Sequence, residues 1–191
     1  ALGDRRVLKG DLARAIQTYS EALKKDKGNV QARMRLGLAF GLSGDHKKAL
    51  REFTALTETR GIDADLFCRA LNNRGVSKGM LGDTQGAIAD YTAVLEVEGA
   101  PSDQVAGALE NRGAVYGNMG DHARALGDFD AALKTPGISE AQALSILINR
   151  GRAHEMLGHV EAAVADYSRC AESRADVSIV HQGLRSLVRL L

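Results

Sequence analysis

The sequence predicts an all-α protein, an α-solenoid of antiparallel helix pairs. Glycine recurs at a fixed interval of 38 residues, at Gly37, Gly75, Gly113 and Gly151. An alanine follows each glycine after twelve residues and an aromatic residue after sixteen: Ala49, Ala87, Ala125, Ala163, Phe53, Tyr91, Phe129 and Tyr167. The 191-residue chain contains only 2 prolines and no Trp, with 45% hydrophobic residues, a composition that favours helices over strands. A fixed period of this length indicates stacked repeats.

Each repeat is predicted to be a helix, a Gly-Asp turn and a second helix. The turn glycines come seven residues after the framework glycines, at Gly44, Gly82, Gly120 and Gly158, and Asp follows three of them while His follows the fourth. Glycine suits the end of the first helix and Asp suits the cap of the second. An incomplete copy stands at the front, with Gly3, a turn at Gly10-Asp11, and Ala15, Tyr19 and Ala22. The framework glycine should allow two helices to approach closely, which would offset its cost of roughly 0.5–1 kcal/mol in a helix.

The pattern of Gly113, Tyr116, Ala125 and Phe129, like that of Gly37, Phe40, Ala49 and Phe53, resembles the framework of the tetratricopeptide repeat. The resemblance covers essentially the whole chain. It implies a right-handed superhelix that acts as a non-catalytic scaffold for protein or peptide partners. The chain departs from the family at its leading Trp, its Tyr and its closing Pro; the substitutes are Arg33, Leu71, Leu109 and Leu147 for Trp and Lys78 and His154 for Tyr. The four extra residues of the period are expected at the start of the first helix in the later repeats.

We expect one domain over residues 1–191, with about ten helices and a C-terminal cap. The predicted segments are a partial repeat (1–27), four repeats (28–61, 62–99, 100–137 and 138–175) and a capping helix (176–191). Residues 176–191 carry an apolar stripe, but truncation of a longer array would leave a similar segment. Because Ala1 falls in the middle of an expected helix, we also expect the native protein to continue upstream.

Arginine and aspartate recur together in three repeats. Arg74, Arg112 and Arg150 each precede the framework glycine, and Asp90, Asp128 and Asp166 each lie sixteen residues further on. We expect each pair to link the two helices of one hairpin, since Arg-carboxylate pairs can be bidentate. A row of anion sites is the alternative. The first full repeat has Leu36 and Glu52 at these positions, so the arginine is missing there.

The candidate binding residues are asparagines two positions before the framework glycine, at Asn73, Asn111 and Asn149. They should point away from the glycine seam, because two helical residues turn the direction by about 200°. Some members of the family line their concave face with an asparagine ladder, whose amides match the N–H and C=O groups of an extended peptide. A tolerated surface position, or a hydrogen bond between neighbouring helices, is the alternative.

Other residues are assigned to the same face by helical spacing. Arg35, Arg69 and Arg152 would favour an acidic residue of the peptide, and Met34, Val76 and Ile148 would offer apolar contact. Asn72 and Asn118 complete the predicted peptide-binding set. A structural module that stacks with its own copies, or a regulatory domain of a larger signalling protein, remains an alternative function.

Composition and motifs argue against other classes. The 25 basic and 24 acidic residues nearly cancel, so no basic field for nucleic acid is expected. No apolar run is long enough to span a bilayer, and no signal peptide is evident, which favours a cytoplasmic location. The two cysteines lie far apart with no metal-ligand spacing, and no hydrolase, protease or phosphate-loop motif occurs. We therefore expect no catalytic site, metal or cofactor.

Overall fold

The computed structural model describes residues 2–173, 185, 186, 188 and 189. This part of the chain contains nine α-helices and no strand, which confirms the predicted all-α class. The helices are α1 (Leu2–Lys25), α2 (Val30–Leu42), α3 (His46–Thr57), α4 (Ala64–Met80), α5 (Thr84–Leu95), α6 (Ser102–Asn118), α7 (His122–Lys134), α8 (Glu140–Met156) and α9 (Val160–Glu172).

The chain forms two compact units. The N-terminal unit is Ala1–Ala93 with Val97–Gly99, and the C-terminal unit is Val94–Glu96 with Ala100–Leu191. In the N-terminal unit, α2 packs against α1, α3 and α4; in the C-terminal unit, α6 packs against α7 and α8, and α8 against α7 and α9. The expected single domain and its repeat boundaries stay a prediction.

The framework glycines lie where the two helices of a hairpin meet. A Cβ atom added to Gly37 would lie 2.6 Å from the ring of Phe53, and one added to Gly113 would lie 2.8 Å from the ring of Phe129. Both distances are shorter than van der Waals contact, so only glycine fits without movement of the ring. The predicted close approach at the framework glycine is confirmed, and the aromatic residue of the second helix fills the space.

The turns between the paired helices follow the predicted chemistry. Gly44 and Gly120 have φ of 85° and 82°, in the left-handed region that glycine adopts at low cost. The carboxylates of Asp45 and Asp121 then accept hydrogen bonds from the backbone N–H of Lys48 and Arg124, at 3.1 and 3.0 Å. These bonds cap the second helix of each hairpin.

The helix lengths locate the extra residues of the long repeats. Helix α2 has 13 residues, whereas α4, α6 and α8 have 17 each. The four additional residues therefore lengthen the first helix by about one turn.

The front of the chain differs from the prediction. Helix α1 runs through Gly10-Asp11 without a turn, so the turn predicted for the partial repeat is wrong. A helix over residues 2–9 would bury too little surface to hold a hairpin, while a glycine within a helix costs only about 1 kcal/mol. The predicted cap at 176–191 lies outside the described residues except at 185, 186, 188 and 189, which are helical.

Candidate peptide-binding surface

Three ion pairs join the helices of the hairpins, as predicted. In each pair, the arginine Nε and Nη2 donate to the two oxygens of one aspartate. The distances are 2.9 and 2.7 Å for Arg74 and Asp90, 2.8 and 2.7 Å for Arg112 and Asp128, and 2.9 and 2.6 Å for Arg150 and Asp166. The three aspartates are buried. Because each arginine is neutralised by its own hairpin, the structural role is confirmed over the row of anion sites.

The first full repeat has an ion pair that the sequence analysis missed. Arg33 Nη1 donates to Glu52 Oε2 at 3.0 Å. Arg33 lies three residues before Leu36, the position that arginine occupies in the other repeats. Residues three apart share a helix face, and glutamate is longer than aspartate, so the pair forms one turn away. A search along the whole helix face for arginine would have found it.

Arg74 and Arg150 also bind the preceding helix. Arg150 Nη1 donates to Asp130 of α7 at 2.7 Å, and Arg74 Nη1 donates to Thr57 of α3 at 2.5 Å. The hydrogen bond with Asp166 is the main reason why the pKa of Arg150 is raised. These arginines therefore hold three successive helices in register.

The three asparagines differ in their contacts. Asn73 Nδ2 donates to the backbone carbonyl of Arg69, four residues earlier, at 2.8 Å. Asn149 Nδ2 donates to Glu110 Oε1 of the neighbouring first helix at 3.2 Å, which is the helix-to-helix bond that the sequence left as an alternative. Asn111 makes no hydrogen bond within the part of the chain that the structure describes. All three side chains are half-buried.

Glu110 is the centre of a polar cluster that the sequence analysis did not predict. Its Oε1 accepts from the Ser145 hydroxyl at 2.6 Å and from Asn149. Burial raises the pKa of Glu110, and the two hydrogen bonds oppose that rise. The cluster joins α6 to α8 at the position that Met34 and Ile148 occupy in other repeats. The sequence carried no clear signal for it, because the same position holds apolar Met34 and Ile148 but also polar Asn72.

Three predicted binding residues are buried, so their assignment to the surface is wrong. Met34 is 1% exposed, Ile148 is 3% exposed and Asn72 is 8% exposed. All three precede the framework glycine by three residues, which places them near the glycine seam rather than beside the asparagines. Met34 packs against Ala49 and Phe53 in the core of the N-terminal unit. Met34 and Ile148 therefore cannot supply the apolar contacts that the sequence analysis assigned to them.

The remaining predicted residues reach the surface. Arg35 and Arg152 are exposed, Val76 is 41% exposed, and Asn118 is exposed at the end of α6. Arg69 is partly exposed and lies 3.5 Å from the carboxylate of Asp65 in its own helix. These side chains are free to contact a partner, whereas the arginines of the bidentate pairs are not.

A cavity of about 210 Å³ lies between α6, α7 and α8 in the C-terminal unit. Three predicted residues line it, Asn118, Asn149 and Arg152. Met156, which is 66% exposed, also lines the cavity, as does Arg189, which pairs with Glu155 at 2.6 Å. The lining therefore combines two amides, two arginines, the carboxylate of Glu155 and apolar surface.

Larger metal-ligand clusters and membrane-spanning helices were sought among the residues that the structure describes. In these residues, no group of three or more His, Cys, Asp or Glu side chains could hold a metal ion. Nor does any described helix have the length and apolar character needed to cross a membrane.

Two family models match the chain, and they agree with the hairpin geometry. A model described as TPR repeat matches residues 3–44, and one described as tetratricopeptide repeat matches residues 111–176. Together they cover more than half of the chain. The chain belongs to the tetratricopeptide repeat family. Tetratricopeptide repeats serve as protein-interaction scaffolds and are generally non-catalytic.

Solved structures show the same tetratricopeptide fold. BtubC from P. vanneervenii has a TM-score of 0.75 at 20% identity, over 95% of this chain and 80% of that one. The thermophilic TPR protein TTC0263 of Thermus thermophilus has a TM-score of 0.68 at 17% identity, over 98% and 96%. YrrB, described as a TPR protein with an unusual peptide-binding site, has a TM-score of 0.62 at 18% identity, over 92% and 84%. No curated protein matches the chain in sequence.

Proposed function

We propose that the protein is a scaffold that binds an extended peptide or protein segment on the exposed surface of its first helices. One observation carries the proposal: Asn118, Asn149 and Arg152 line the same cavity in the C-terminal unit. These residues come from two successive first helices, α6 and α8, so a ligand that fills the cavity would contact both. Of the predicted asparagine row, Asn149 lines this cavity.

The hydrogen bonds already present indicate how the asparagines would bind a peptide. The Nδ2 groups of Asn73 and Asn149 donate to protein oxygens. Their Oδ1 atoms remain as acceptors, so the amides would take N–H groups from a peptide backbone. One oxygen of Glu110 is held by Ser145 and Asn149, and its other oxygen could accept in the same way.

Residues at the edge of the cavity would determine which side chains of the ligand are preferred. Arg152 is exposed and is not a member of a bidentate pair, so it would favour an acidic residue of the ligand. Met156 would supply the apolar contact in place of the buried Ile148, since flexible methionine adapts to varied surfaces. Arg35 and Arg69 would serve the N-terminal unit in the same way.

A peptide array followed by a fluorescence titration tests the proposal. The best-binding peptide of about seven to nine residues would be titrated against the wild type and against a variant with Asn73, Asn111 and Asn149 all changed to Ala. If each amide contributes on the order of 1 kcal/mol, the triple variant should bind roughly a hundredfold more weakly. An exposed residue of α3, Lys47→Ala, serves as the matched control.

The titration of the triple variant can contradict the predicted asparagine row. A folded triple variant that binds as tightly as the wild type would leave these residues as duplicated surface positions. Arg152→Ala tests the preference for acidic residues separately from the asparagine row. This variant should weaken the binding of acidic peptides more than the binding of neutral ones. Equal losses for both peptides would remove the assigned preference.

Self-association is the second candidate function, and the turns between paired helices favour it. Leu42, Met80 and Met156 lie at the ends of first helices and are 76%, 64% and 66% exposed. A second copy of the chain that packs against these ends would bury the apolar side chains. Light scattering over a range of protein concentrations tests this function, and a constant monomer mass would contradict it.

A further inference from the structure

Two of the hairpins carry the same three-residue set at the turn. In the α2–α3 hairpin, Lys48 Nζ lies 5.3 Å from the centre of the Phe40 ring and 2.6 Å from the carboxylate of Asp45. In the α6–α7 hairpin, Arg124 lies 4.4 Å from the Tyr116 ring and 2.6 Å from Asp121. An aromatic ring, a capping aspartate and a cation thus close the turn; we call them the turn set.

All three members change in the α8–α9 hairpin. His154 takes the place of the aromatic residue, His159 takes the place of the aspartate, and Ala162 takes the place of the cation. The Nδ1 atoms of the two histidines lie 3.4 Å apart, with ring centres 5.6 Å apart. His159 precedes α9 but makes no capping bond with its side chain. The histidine that replaced the cap is therefore directed at the other histidine.

The separation of the two nitrogens fits a shared metal ion. Imidazole nitrogens bind zinc at about 2.0–2.1 Å in tetrahedral geometry, which places two of them about 3.3–3.4 Å apart. We propose that His154 and His159 form a site for a transition-metal ion of the zinc, nickel or copper class. The two histidines would supply two ligands, and water or a donor group from a partner would fill the other positions.

The two histidines can replace their hydrogen bond by two bonds to a metal ion without losing a proton. In the metal-free hydrogen bond, one Nδ1 carries the hydrogen and the other accepts it. For both Nδ1 atoms to ligate, the donor histidine moves its hydrogen to Nε2, and each ring remains neutral. Small rotations of the two rings then direct both lone pairs at one point.

The surroundings of the pair favour a cation. Ala162 removes the positive charge that Lys48 and Arg124 bring to the other turns. Arg150, a cation of the same hairpin, is bound to both Asp130 and Asp166. Glu155 already accepts hydrogen bonds from Tyr167 and Arg189, and we therefore do not assign it as a metal ligand. The exposed side of His159 leaves room for water on the ion.

Metal titration of the full chain, with no histidine tag, tests the site. Zinc, nickel, copper and magnesium salts would be added separately, with calorimetry for stoichiometry and imidazole NMR for location. We expect one transition-metal ion per chain, shifts at His154 and His159, and unchanged signals at His46 and His122. Copper should bind more tightly than nickel, and magnesium should not bind, since imidazole suits the former ions and oxygen ligands the latter.

The α6–α7 hairpin provides the matched variant. His154→Tyr, His159→Asp and Ala162→Arg together would rebuild the turn set, keep the fold and remove the site, so zinc affinity should fall at least tenfold. His159→Asn alone, which retains a helix cap, should give a similar loss of zinc affinity. The test therefore does not depend on correct folding of the triple variant. Zinc binding as tight as in the wild type, or equal shifts at all histidines, would overturn the proposal.

Discussion

The α2–α3 and α6–α7 hairpins share the same helix packing but differ in the ion pair that joins their helices. Both place a framework glycine against an aromatic ring, Gly37 against Phe53 and Gly113 against Phe129. Their ion pairs differ, because Arg33 makes a single hydrogen bond to Glu52 while Arg112 makes two to Asp128. The glycine contact is thus kept in place, while the ion pair has moved by one helical turn.

This difference separates what the hairpin requires from what it tolerates. The glycine contact has no substitute, because a Cβ atom would occupy the space of the ring. An ion pair between two helices can form wherever two long side chains reach each other, so its position can change without a change of fold. The hairpins should therefore respond alike to a larger residue at the glycine and differently to loss of the arginine.

The largest expected effect is that of a leucine at the framework glycine. Gly37→Leu and Gly113→Leu should each destabilise the protein by about 1–3 kcal/mol or more, since overpacking displaces the aromatic ring. Urea unfolding followed by circular dichroism measures the loss.

Gly127 in α7 provides the control for this prediction. A Cβ atom there would meet nothing within 4 Å, so Gly127→Ala should stabilise the chain by about 0.5–1 kcal/mol. If Gly113→Leu unfolds at the same urea concentration as the wild type, the close contact does not govern the hairpin.

The second effect is the coupling within the ion pairs. A double-mutant cycle with Arg112→Leu and Asp128→Asn should give a coupling of about 1–3 kcal/mol, because bidentate bonds of a buried carboxylate are strong. The same cycle at Arg33 and Glu52 should give about 0.2–1 kcal/mol, since both side chains are more exposed. Swapping the charges of Arg112 and Asp128 should be tolerated better than either single change. Equal couplings in the two hairpins would show that bidentate geometry does not matter.

Features that recur at one spacing could be predicted from the sequence. The helix pairs, the glycine contact and the Arg-Asp pairs each repeat at least three times, and repetition separates a packing requirement from chance. The ion pair of Arg33 was not predicted because it occurs once and at a shifted position. The turn at Gly10-Asp11 was predicted wrongly because the motif alone does not supply a helix against which to fold.

The candidate surface could be predicted less well than the fold. Helical spacing separated Asn73 and Asn149 from the glycine seam, but it also assigned the buried Met34 and Ile148 to the surface. A difference of one residue rotates a helix position by about 100°, and the width of the buried face depends on the neighbouring helices. The Glu110 cluster required coordinates, because its bonds join residues of α6 and α8 that share no motif.

A third and smaller effect is the pH dependence of stability that comes from Glu110 in α6. The same repeat position in α2 carries Met34, which does not titrate. Burial raises the pKa of Glu110 above its usual value of 4.5, so the folded state binds the proton more tightly than the unfolded state. Stability from this group is present at low pH and is lost as pH rises through the folded-state pKa.

Glu110→Gln tests this effect and keeps an acceptor for Ser145 and Asn149. The variant should be slightly more stable than the wild type at neutral pH, and the difference should shrink as pH falls towards the usual pKa of 4.5. Urea midpoints measured across that range check it. A difference that does not change with pH would mean that Glu110 titrates equally in the folded and unfolded states.

The smallest expected effect concerns the exposed cations of the turn sets, where the two hairpins are most alike. Arg124 lies closer to its ring than Lys48 does, at 4.4 against 5.3 Å, and arginine stacks on aromatic rings better than lysine. Both cations are largely exposed, so water and salt screen their ion pairs with Asp121 and Asp45.

Arg124→Ala should therefore lower the melting temperature slightly, and Lys48→Ala should lower it less. Added salt should reduce both losses without reversing their order, because stacking on the ring is less sensitive to salt than the ion pair. If Lys48→Ala proves the more damaging change, the distance of the cation from the ring does not determine how firmly the turn is held.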